Sequence, residues 1–300
     1  MEGNSTTRPS DTSKRDPVYC EAQCKMILIT LYTIVFLGGT TGVVMMSRMM
    51  FKRNSQSMIS IIILNIIVLH SVLLISLPFR LSYYVLDTWY LGSFTCRLAS
   101  SIIYAHMYFS FIFYVAIVML RLLIYFKKLQ TQQLQKYHAV VLSTMIWTVG
   151  SLIFLPIFSL HYGIDSIDSK QSRCFMFYRD LSRRDLVILN YSFTVLMITT
   201  VVILFLIQMA VIIQQIKTLW PENWTHQEYR AQIKSFFFLV VIVACFLPHH
   251  TFRIHFIQNF SESKNSERKN SELVLYNEIF VALTTMCCLD MLCFIGGVIH

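Results

Sequence analysis

The chain has 300 residues, of which 55% are hydrophobic and only 14% are charged, and its formal net charge is +9. Soluble domains usually contain about 25% charged residues. The composition therefore excludes an ordinary soluble domain and indicates a protein of the lipid bilayer. The basic residues are scattered among short connections instead of forming a basic domain, so we expect no nucleic-acid partner.

Seven stretches are long and apolar enough to cross a membrane, because a helical span needs about 20 apolar residues. They lie at residues 26–47, 58–79, 98–120, 138–160, 186–216, 235–258 and 273–299. The sequence therefore predicts an all-α membrane protein, a seven-transmembrane helix bundle over residues 26–300 that follows an extracellular segment of residues 1–25. We expect neither a helix on the inner membrane face nor a tail after the seventh span.

The amino-terminal segment is polar and has no apolar core, so we do not expect a cleavable signal peptide. The acceptor triplet at Asn4 predicts glycosylation and favours an outer amino terminus, although similar triplets at Asn190 and Asn223 lie where glycosylation could not reach. In this orientation the inner connections have a strong positive balance. The raw number of Lys and Arg residues, however, is larger outside and does not favour it.

The third predicted span is the axis of the chain. It has Cys96 near one end and Arg121 near the other, and a helix between them would run about 38 Å, longer than a hydrocarbon core of about 30 Å. Its ends therefore face different compartments. Cys96 and Cys174 are the cysteines best placed to pair on the oxidising side. Packing is expected for the cysteines inside spans, namely Cys245, Cys287, Cys288 and Cys293.

The sixth span is interrupted by Pro248, which frees a backbone carbonyl and predicts a hinge at Phe246 and Pro248. Polar residues follow this proline, including His249, His250 and Arg253. Such residues are costly in lipid, so we expect them to face a cavity.

These features together resemble the rhodopsin-like G-protein-coupled receptors. The residues that carry the resemblance are Cys96, Arg121, Trp147, Cys174 and the run Cys245-Phe246-Leu247-Pro248. The resemblance implies a receptor of the plasma membrane that transduces an extracellular ligand to a heterotrimeric G protein. It implies that Arg121 contacts the G protein when the sixth span swings outward, and it is compatible with receptor homo- or hetero-oligomers.

The sequence also departs from the family pattern. Arg121 stands between Leu120 and Leu122, without the acidic neighbour that usually restrains it, and the seventh-span motif reads Asp290-Met291 instead of Asn/Asp-Pro. These departures keep an alternative open, a non-signalling seven-helix scaffold or decoy. An enzyme is not expected, because the chain lacks a Gly-x-Ser-x-Gly motif and a paired metal-binding histidine motif. No cofactor is expected either.

An internal polar site is expected where the family usually binds sodium. His70 replaces the acid of the second span, and an imidazole offers nitrogen instead of a hard oxygen ligand, so we expect no metal there. The resemblance places His70 beside Asp290. With His106 and Ser110 this pair would form a proton-responsive or fixed internal ion pair, and the alternative is a hydrogen-bonded core histidine.

The ligand is expected to be anionic or lipid-like. Ile103 stands where amine receptors have an aspartate, and His250 and Arg253 match family positions that contact ligand phosphate or carboxylate. The alternative is an outer salt bridge without a ligand, in which Glu278 neutralises one of the cations. The predicted pocket comprises Arg80, Tyr104, Met107, His249, His250, Arg253 and Glu278.

Overall fold

The computed structural model describes residues 17–53, 57–126, 136–160, 174–175, 184–219, 227–262 and 267–295. Within these ranges all regular structure is helical. The helices are α1 (Pro17–Arg53), α2 (Met58–Leu86), α3 (Gly92–Tyr125), α4 (Lys136–Leu160), α5 (Arg184–Leu219), α6 (Gln227–Cys245), α7 (Leu247–Glu262), α8 (Glu267–Thr285) and α9 (Asp290–Ile295), with a 3₁₀ turn at Met286–Leu289 before α9.

Six helical segments of the described chain are long and apolar enough to cross a membrane. They are Ala22–Lys52, Met58–Leu86, Gly92–Tyr125, Val187–Thr218, Tyr229–Asn259 and Leu273–Leu292. The remaining helix, α4, has 25 residues and contains a shorter apolar stretch at Tyr137–Ile153. A helix of this length extends about 38 Å, which is sufficient for a span. The predicted seven-helix membrane bundle is therefore confirmed.

Several helices extend past the sequence-based boundaries; α2, for example, ends at Leu86 instead of residue 79, and α6 begins at Gln227 instead of residue 235. Three further differences concern the first, sixth and seventh spans. α1 begins at Pro17 instead of residue 26, so helix extends into the segment that was expected to precede the first span. The sixth span is divided at Phe246 into α6 and α7, because Pro248 has no N–H to continue the helical ladder. The seventh span consists of α8, the 3₁₀ turn and α9.

Helix α3 is the central helix of the bundle. It packs against α2, α4, α6 and α8, and its buried side chains extend from Cys96 to Leu122. The outer helices expose large apolar side chains such as Ile75 and Leu152. This distribution fits a bundle whose surface faces lipid.

Helix α1 approaches its neighbours through glycines. A Cβ atom added at Gly39 would lie 2.9 Å from Leu74 Cδ2, and one added at Gly42 would lie 3.0 Å from Met291 Cβ. Small residues allow membrane helices to approach closely. These glycines therefore allow α1 to pack closely against α2 and the seventh span.

Candidate ligand and signalling sites

A disulfide defines the outer end of the bundle. Cys96 near the start of α3 is joined to Cys174, with their Cα atoms 5.9 Å apart, so the expected pairing is present in the structure. The next residue, Phe175, has a φ of 67°, which is rare for a bulky side chain. Its ring lies 5.1 Å from that of Tyr83 and 5.6 Å from that of Trp89. The disulfide thus fixes Phe175 over the ends of α2 and α3.

Arg80 lies beneath Phe175 and forms an ion pair inside the bundle. Its side chain is buried, with the residue 1% exposed, and its guanidinium carbon is 4.3 Å from the centre of the Phe175 ring. Arg80 Nη1 lies 3.4 Å from Oε2 of Glu278 and 3.4 Å from the hydroxyl of Tyr32. Tyr84 donates its hydroxyl to the same carboxylate oxygen across 3.3 Å. Arg80 and Glu278 therefore neutralise each other between α2 and α8.

Arg253 on α7 is buried without a carboxylate partner. The residue is 6% exposed; it donates to Oδ1 of Asn277 across 3.0 Å and to Oδ1 of Asn190 across 3.2 Å. Its guanidinium carbon lies 5.3 Å from the centre of the Phe256 ring. Within the described residues, no carboxylate lies within ion-pair distance of Arg253. The two amide oxygens accept hydrogen bonds from Nη1 and Nη2 but do not neutralise the charge of the guanidinium.

A small cavity opens beside Arg253. It contains about 230 Å³ of empty space including its mouth, and it is lined by Tyr104, Phe175, Arg253, Phe256, Val274, Asn277 and Glu278. Ligand sites in proteins typically combine apolar walls with a few polar groups, and this lining has that character. Three members of the predicted pocket, Tyr104, Arg253 and Glu278, meet here.

Other residues of the predicted pocket lie away from this cavity. Met107, His249 and His250 are buried and do not line it. His249 Nδ1 and His250 Nε2 have no hydrogen-bond partner among the described residues, and the His250 ring lies 6.3 Å from that of Tyr108. A ligand role for these three residues stays a prediction.

The expected internal polar site lies midway along α3. His70 Nδ1 is 3.0 Å from His106 Nε2, and His70 Nε2 is 3.5 Å from Asp290 Oδ1. Tyr114 donates its hydroxyl to Asp290 Oδ2 across 2.7 Å. Ser110 is fully buried, and its Oγ has no hydrogen-bond partner within the described chain. The structure thus brings together His70, His106 and Asp290 and adds Tyr114 to them.

The helix break at Phe246 is packed against α3. Phe246 N–H still donates to the Ile242 carbonyl across 2.9 Å, and the Phe246 carbonyl accepts from His250 N–H at 3.1 Å. The Phe246 ring lies 6.2 Å from that of Phe111 and 6.3 Å from that of Tyr114. A movement of α7 relative to α6 would therefore displace an aromatic side chain that packs against α3.

Arg121 lies at the end of α3 opposite the disulfide. Its side chain is half-buried, whereas Leu120 and Leu122 on either side are buried. Among the described residues Arg121 makes no hydrogen bond and no ion pair. It is therefore a cation at the expected inner face without an acidic partner in the described part of the chain.

Several site residues were not predicted from the sequence. Asn277 precedes the predicted Glu278, and Phe175 follows the predicted Cys174. Both could have been suggested by their positions next to predicted site residues. Tyr32 and Tyr114 are single tyrosines in long apolar stretches and offered no such indication. The predicted glycosylation residue Asn4 lies outside the described residues.

Comparisons with known proteins agree with this architecture. The family model of the 7 transmembrane receptor (rhodopsin family) matches residues 41–290. Probable G-protein coupled receptor 141 of Homo sapiens is 36% identical over 301 residues, which cover 100% of this chain and 95% of that receptor. Three short runs of the sequence, at residues 77–80, 106–108 and 276–280, suggest a resemblance to that receptor. The match along the whole chain confirms this resemblance.

Two further relatives are receptors whose names refer to a ligand. The 2-oxoglutarate receptor 1 of Rattus norvegicus is 27% identical over 266 residues, covering 86% of this chain and 77% of that receptor. A purinoceptor of Rattus norvegicus is 25% identical over 297 residues, covering 97% of this chain and 95% of that receptor. With the matched family and the multi-span bundle, these similarities show that the chain is a multi-pass membrane protein that belongs to the rhodopsin family of G-protein-coupled receptors.

Proposed function

We propose that this receptor binds a small extracellular anion, with a carboxylate or phosphate group, and passes the signal to a heterotrimeric G protein. The observation that carries the proposal is Arg253, a buried cation that lines a cavity and has only amide and aromatic partners. Glu278 lines the same cavity, but its ion-pair partner is Arg80, so two buried arginines share one carboxylate. Burying a charge without a paired counter-charge is costly, and an anionic ligand in the cavity would supply one for Arg253 through charge-assisted hydrogen bonds.

Arg80 is not the ligand-binding cation in this proposal. Its charge is matched by Glu278 at 3.4 Å, and Phe175 covers it. We therefore assign Arg80 to the framework of the site. Glu278 lines the cavity with its neighbour Asn277, where it would limit how closely a second negative group can approach.

The name of one relative is consistent with an anionic ligand, because it is a receptor for 2-oxoglutarate, which is a dicarboxylate. The other is a purinoceptor, which is named for purines. The empty space of about 230 Å³ includes open solvent at the mouth of the cavity, and the enclosed part has room for only about one water molecule. Side chains around Arg253 would therefore have to move apart on binding, and a small anion, or the headgroup of a lipid whose chain lies outside the cavity, requires the least movement.

The position of Arg253 also supports transmission to the inner face. Arg253 lies on α7, beyond Pro248 and the break at Phe246. A ligand that draws Arg253 towards α8 would pull α7 about this hinge, and α6 continues from the hinge towards the inner side. Arg121 would then be one of the contacts for the G protein.

A test of ligand class uses the purified receptor in lipid nanodiscs. Candidate anions are 2-oxoglutarate, a nucleoside monophosphate and a lysophosphatidate, and each is paired with an uncharged counterpart: dimethyl 2-oxoglutarate, the nucleoside and a monoacylglycerol. At least one anion is expected to raise the melting temperature, whereas its uncharged partner does not. The three pairs distinguish a metabolite from a lipid headgroup.

The variant Arg253→Gln is expected to weaken binding of that anion roughly 10- to 100-fold, because it removes a charge-assisted hydrogen bond. The matched control is Arg97→Gln, which removes an outer arginine beyond the cavity lining. Full anion affinity in Arg253→Gln would contradict the assignment of Arg253, and three anions without effect on the wild type would contradict the ligand class.

A second candidate function is a seven-helix scaffold or decoy that binds a partner without activating a G protein. Leu120 and Leu122 beside Arg121, together with Met291 after Asp290, favour it. A nucleotide-exchange assay with purified G proteins distinguishes the two functions, since a scaffold leaves the exchange rate at that of empty nanodiscs.

A further inference from the structure

The seventh span leaves the α-helical path in the centre of the bundle. The 3₁₀ turn at Met286–Leu289 contains two adjacent cysteines, Cys287 and Cys288, which are 1% and 0% exposed. Across from them lie His70 of α2 and His106 of α3, both buried. One ligand atom from each of these four side chains lies within 4.8 Å of the others. The sequence alone predicted only packing for the two cysteines.

We propose that His70, His106, Cys287 and Cys288 form a binding site for Zn²⁺. Two imidazole nitrogens and two sulfurs are a set that zinc prefers in tetrahedral sites. Zinc with two thiolates is also neutral overall, which matters in an interior where an unbalanced charge is costly. The same donors suit a hard ion such as sodium poorly.

Two of the six distances between donor atoms are close to those of a tetrahedral zinc site. Zn–N bonds of about 2.0–2.1 Å and Zn–S bonds of about 2.3 Å imply about 3.3 Å between two nitrogens and about 3.6 Å between a nitrogen and a sulfur. The structure has 3.0 Å between His70 Nδ1 and His106 Nε2, and 3.7 Å between His106 Nε2 and Cys288 Sγ. The two rings would have to separate by a few tenths of an ångström to admit the ion. The other donor pairs lie within 4.8 Å, so the sulfurs would have to approach by up to about an ångström.

The surroundings of His70 match those of a metal-bound histidine. A ligating histidine usually donates its other ring N–H to a carboxylate, which fixes the tautomer and the ring orientation. When His70 Nδ1 faces the metal, its Nε2 faces Asp290 Oδ1 at 3.5 Å. That oxygen has no hydrogen-bond partner among the described residues, while Tyr114 holds the other carboxylate oxygen. Asp290 is therefore a positioning residue for the site.

The alternative is a hydrogen-bonded cluster without a metal, in which His106 Nε2 meets His70 Nδ1 at 3.0 Å and Cys288 Sγ at 3.7 Å. Zinc accounts in addition for Asp290 Oδ1, a buried atom that lacks a hydrogen-bond partner in the described chain and that would accept from the Nε2–H of a zinc-bound His70. Two neighbouring thiols beside two imidazoles add further polar atoms to the bundle centre. Bound zinc would join α2, α3 and the seventh span at one point.

The test measures zinc in the full-length receptor, purified in nanodiscs from cells grown with added zinc and washed free of loosely bound metal. The wild type is expected to retain one zinc per chain by elemental analysis. After chelation, Co²⁺ is expected to produce the thiolate-to-cobalt charge-transfer absorption that only sulfur ligation gives. Absence of both the retained zinc and this absorption in folded wild type would overturn the proposal.

Variants locate the metal. Cys288→Ser is expected to lose the bound zinc, whereas Cys245→Ser, which changes another buried cysteine outside the cluster, retains it. Asp290→Asn is expected to lower zinc affinity roughly 10- to 100-fold, as loss of a histidine-orienting carboxylate typically does. Zinc retained in folded Cys288→Ser would refute the site. If that variant does not fold, the cobalt absorption of the wild type still decides the matter.

This inference does not rest on the proposed ligand or on G-protein coupling. Zinc content and cobalt absorption are measured without ligand or G protein. Either proposal can therefore fail while the other stands.

Discussion

The hydroxyl of Tyr114 donates a hydrogen bond to Oδ2 of Asp290 across 2.7 Å, which joins the middle of α3 to the start of α9. The ring of Tyr114 also lies 6.3 Å from that of Phe246. One side chain therefore contacts both the internal polar site and the break in the sixth span. We regard Tyr114 as the connection between the two.

Removing the Tyr114 hydroxyl should destabilise the receptor. Tyr114→Phe leaves Asp290 Oδ2 without its donor in the bundle interior, at an expected cost of about 1–2 kcal/mol. The control is Tyr90→Phe, because Tyr90 is exposed and its variant should melt like the wild type. Thermal unfolding in nanodiscs measures both, and equal melting temperatures for wild type and Tyr114→Phe would contradict the role of this bond.

The buried ion pair between Arg80 and Glu278 should behave as a unit. Arg80→Met leaves Glu278 buried without its counter-charge and should cost about 3–5 kcal/mol. The double variant with Glu278→Gln should cost at least about 1 kcal/mol less than the sum of the single variants. Additive costs would show that the pair contributes no coupling.

The outer pair of Lys25 and Asp87 provides the comparison for this cycle. Its atoms are closer, at 2.6 Å, but its side chains are 27% and 63% exposed. Exposed ion pairs contribute about 0–1 kcal/mol, so Lys25→Met should have little effect. A large loss in Lys25→Met would show that burial does not explain the difference.

Loss of the disulfide should release Phe175 from Arg80. Cys174→Ser removes a covalent connection across 78 residues and should cost about 2–4 kcal/mol in stability. Because the cavity wall includes Phe175, anion binding should weaken as well. Reductant should reproduce both effects in the wild type but add nothing in Cys174→Ser. A reductant effect that persists in the variant would point to another cysteine.

The break in the sixth span should favour movement at the expense of stability. Pro248→Ala supplies the missing backbone N–H, so the helix should become continuous and more stable by about 1–3 kcal/mol. The stiffer span should reduce nucleotide exchange. Pro78→Ala is the control, because α2 continues through its proline and its variant should leave exchange unchanged. Unaltered exchange in Pro248→Ala would exclude this hinge.

Hydropathy predicted the helices well, because each span must satisfy its own backbone hydrogen bonds in lipid. The start of α1 at Pro17 was not predictable from hydropathy, since that part of the helix is polar. The 3₁₀ turn at Met286–Leu289 was missed as well, because nothing in an apolar run distinguishes it from an α-helix. Length and apolar character thus predict the spans, but not where a span changes its internal geometry.

The candidate sites were predictable only in part. The pairing of Cys96 with Cys174 and the proximity of His70 to Asp290 followed from position along the spans and from family resemblance. The sequence does not predict which arginine, Arg80 or Arg253, forms the ion pair with Glu278. That pairing depends on how α2, α7 and α8 pack in three dimensions, which the spacing of residues along the sequence does not determine.

Nucleotide exchange on purified heterotrimeric G proteins tests the account most directly. The receptor in nanodiscs, alone and with the anions named above, should accelerate exchange on at least one G-protein class. Arg121→Ala should return it to background, and Arg48→Ala, which removes an exposed arginine at the same face, should not. Exchange that is unchanged in Arg121→Ala, or absent in every class with folded wild-type receptor, would contradict the proposed signalling function.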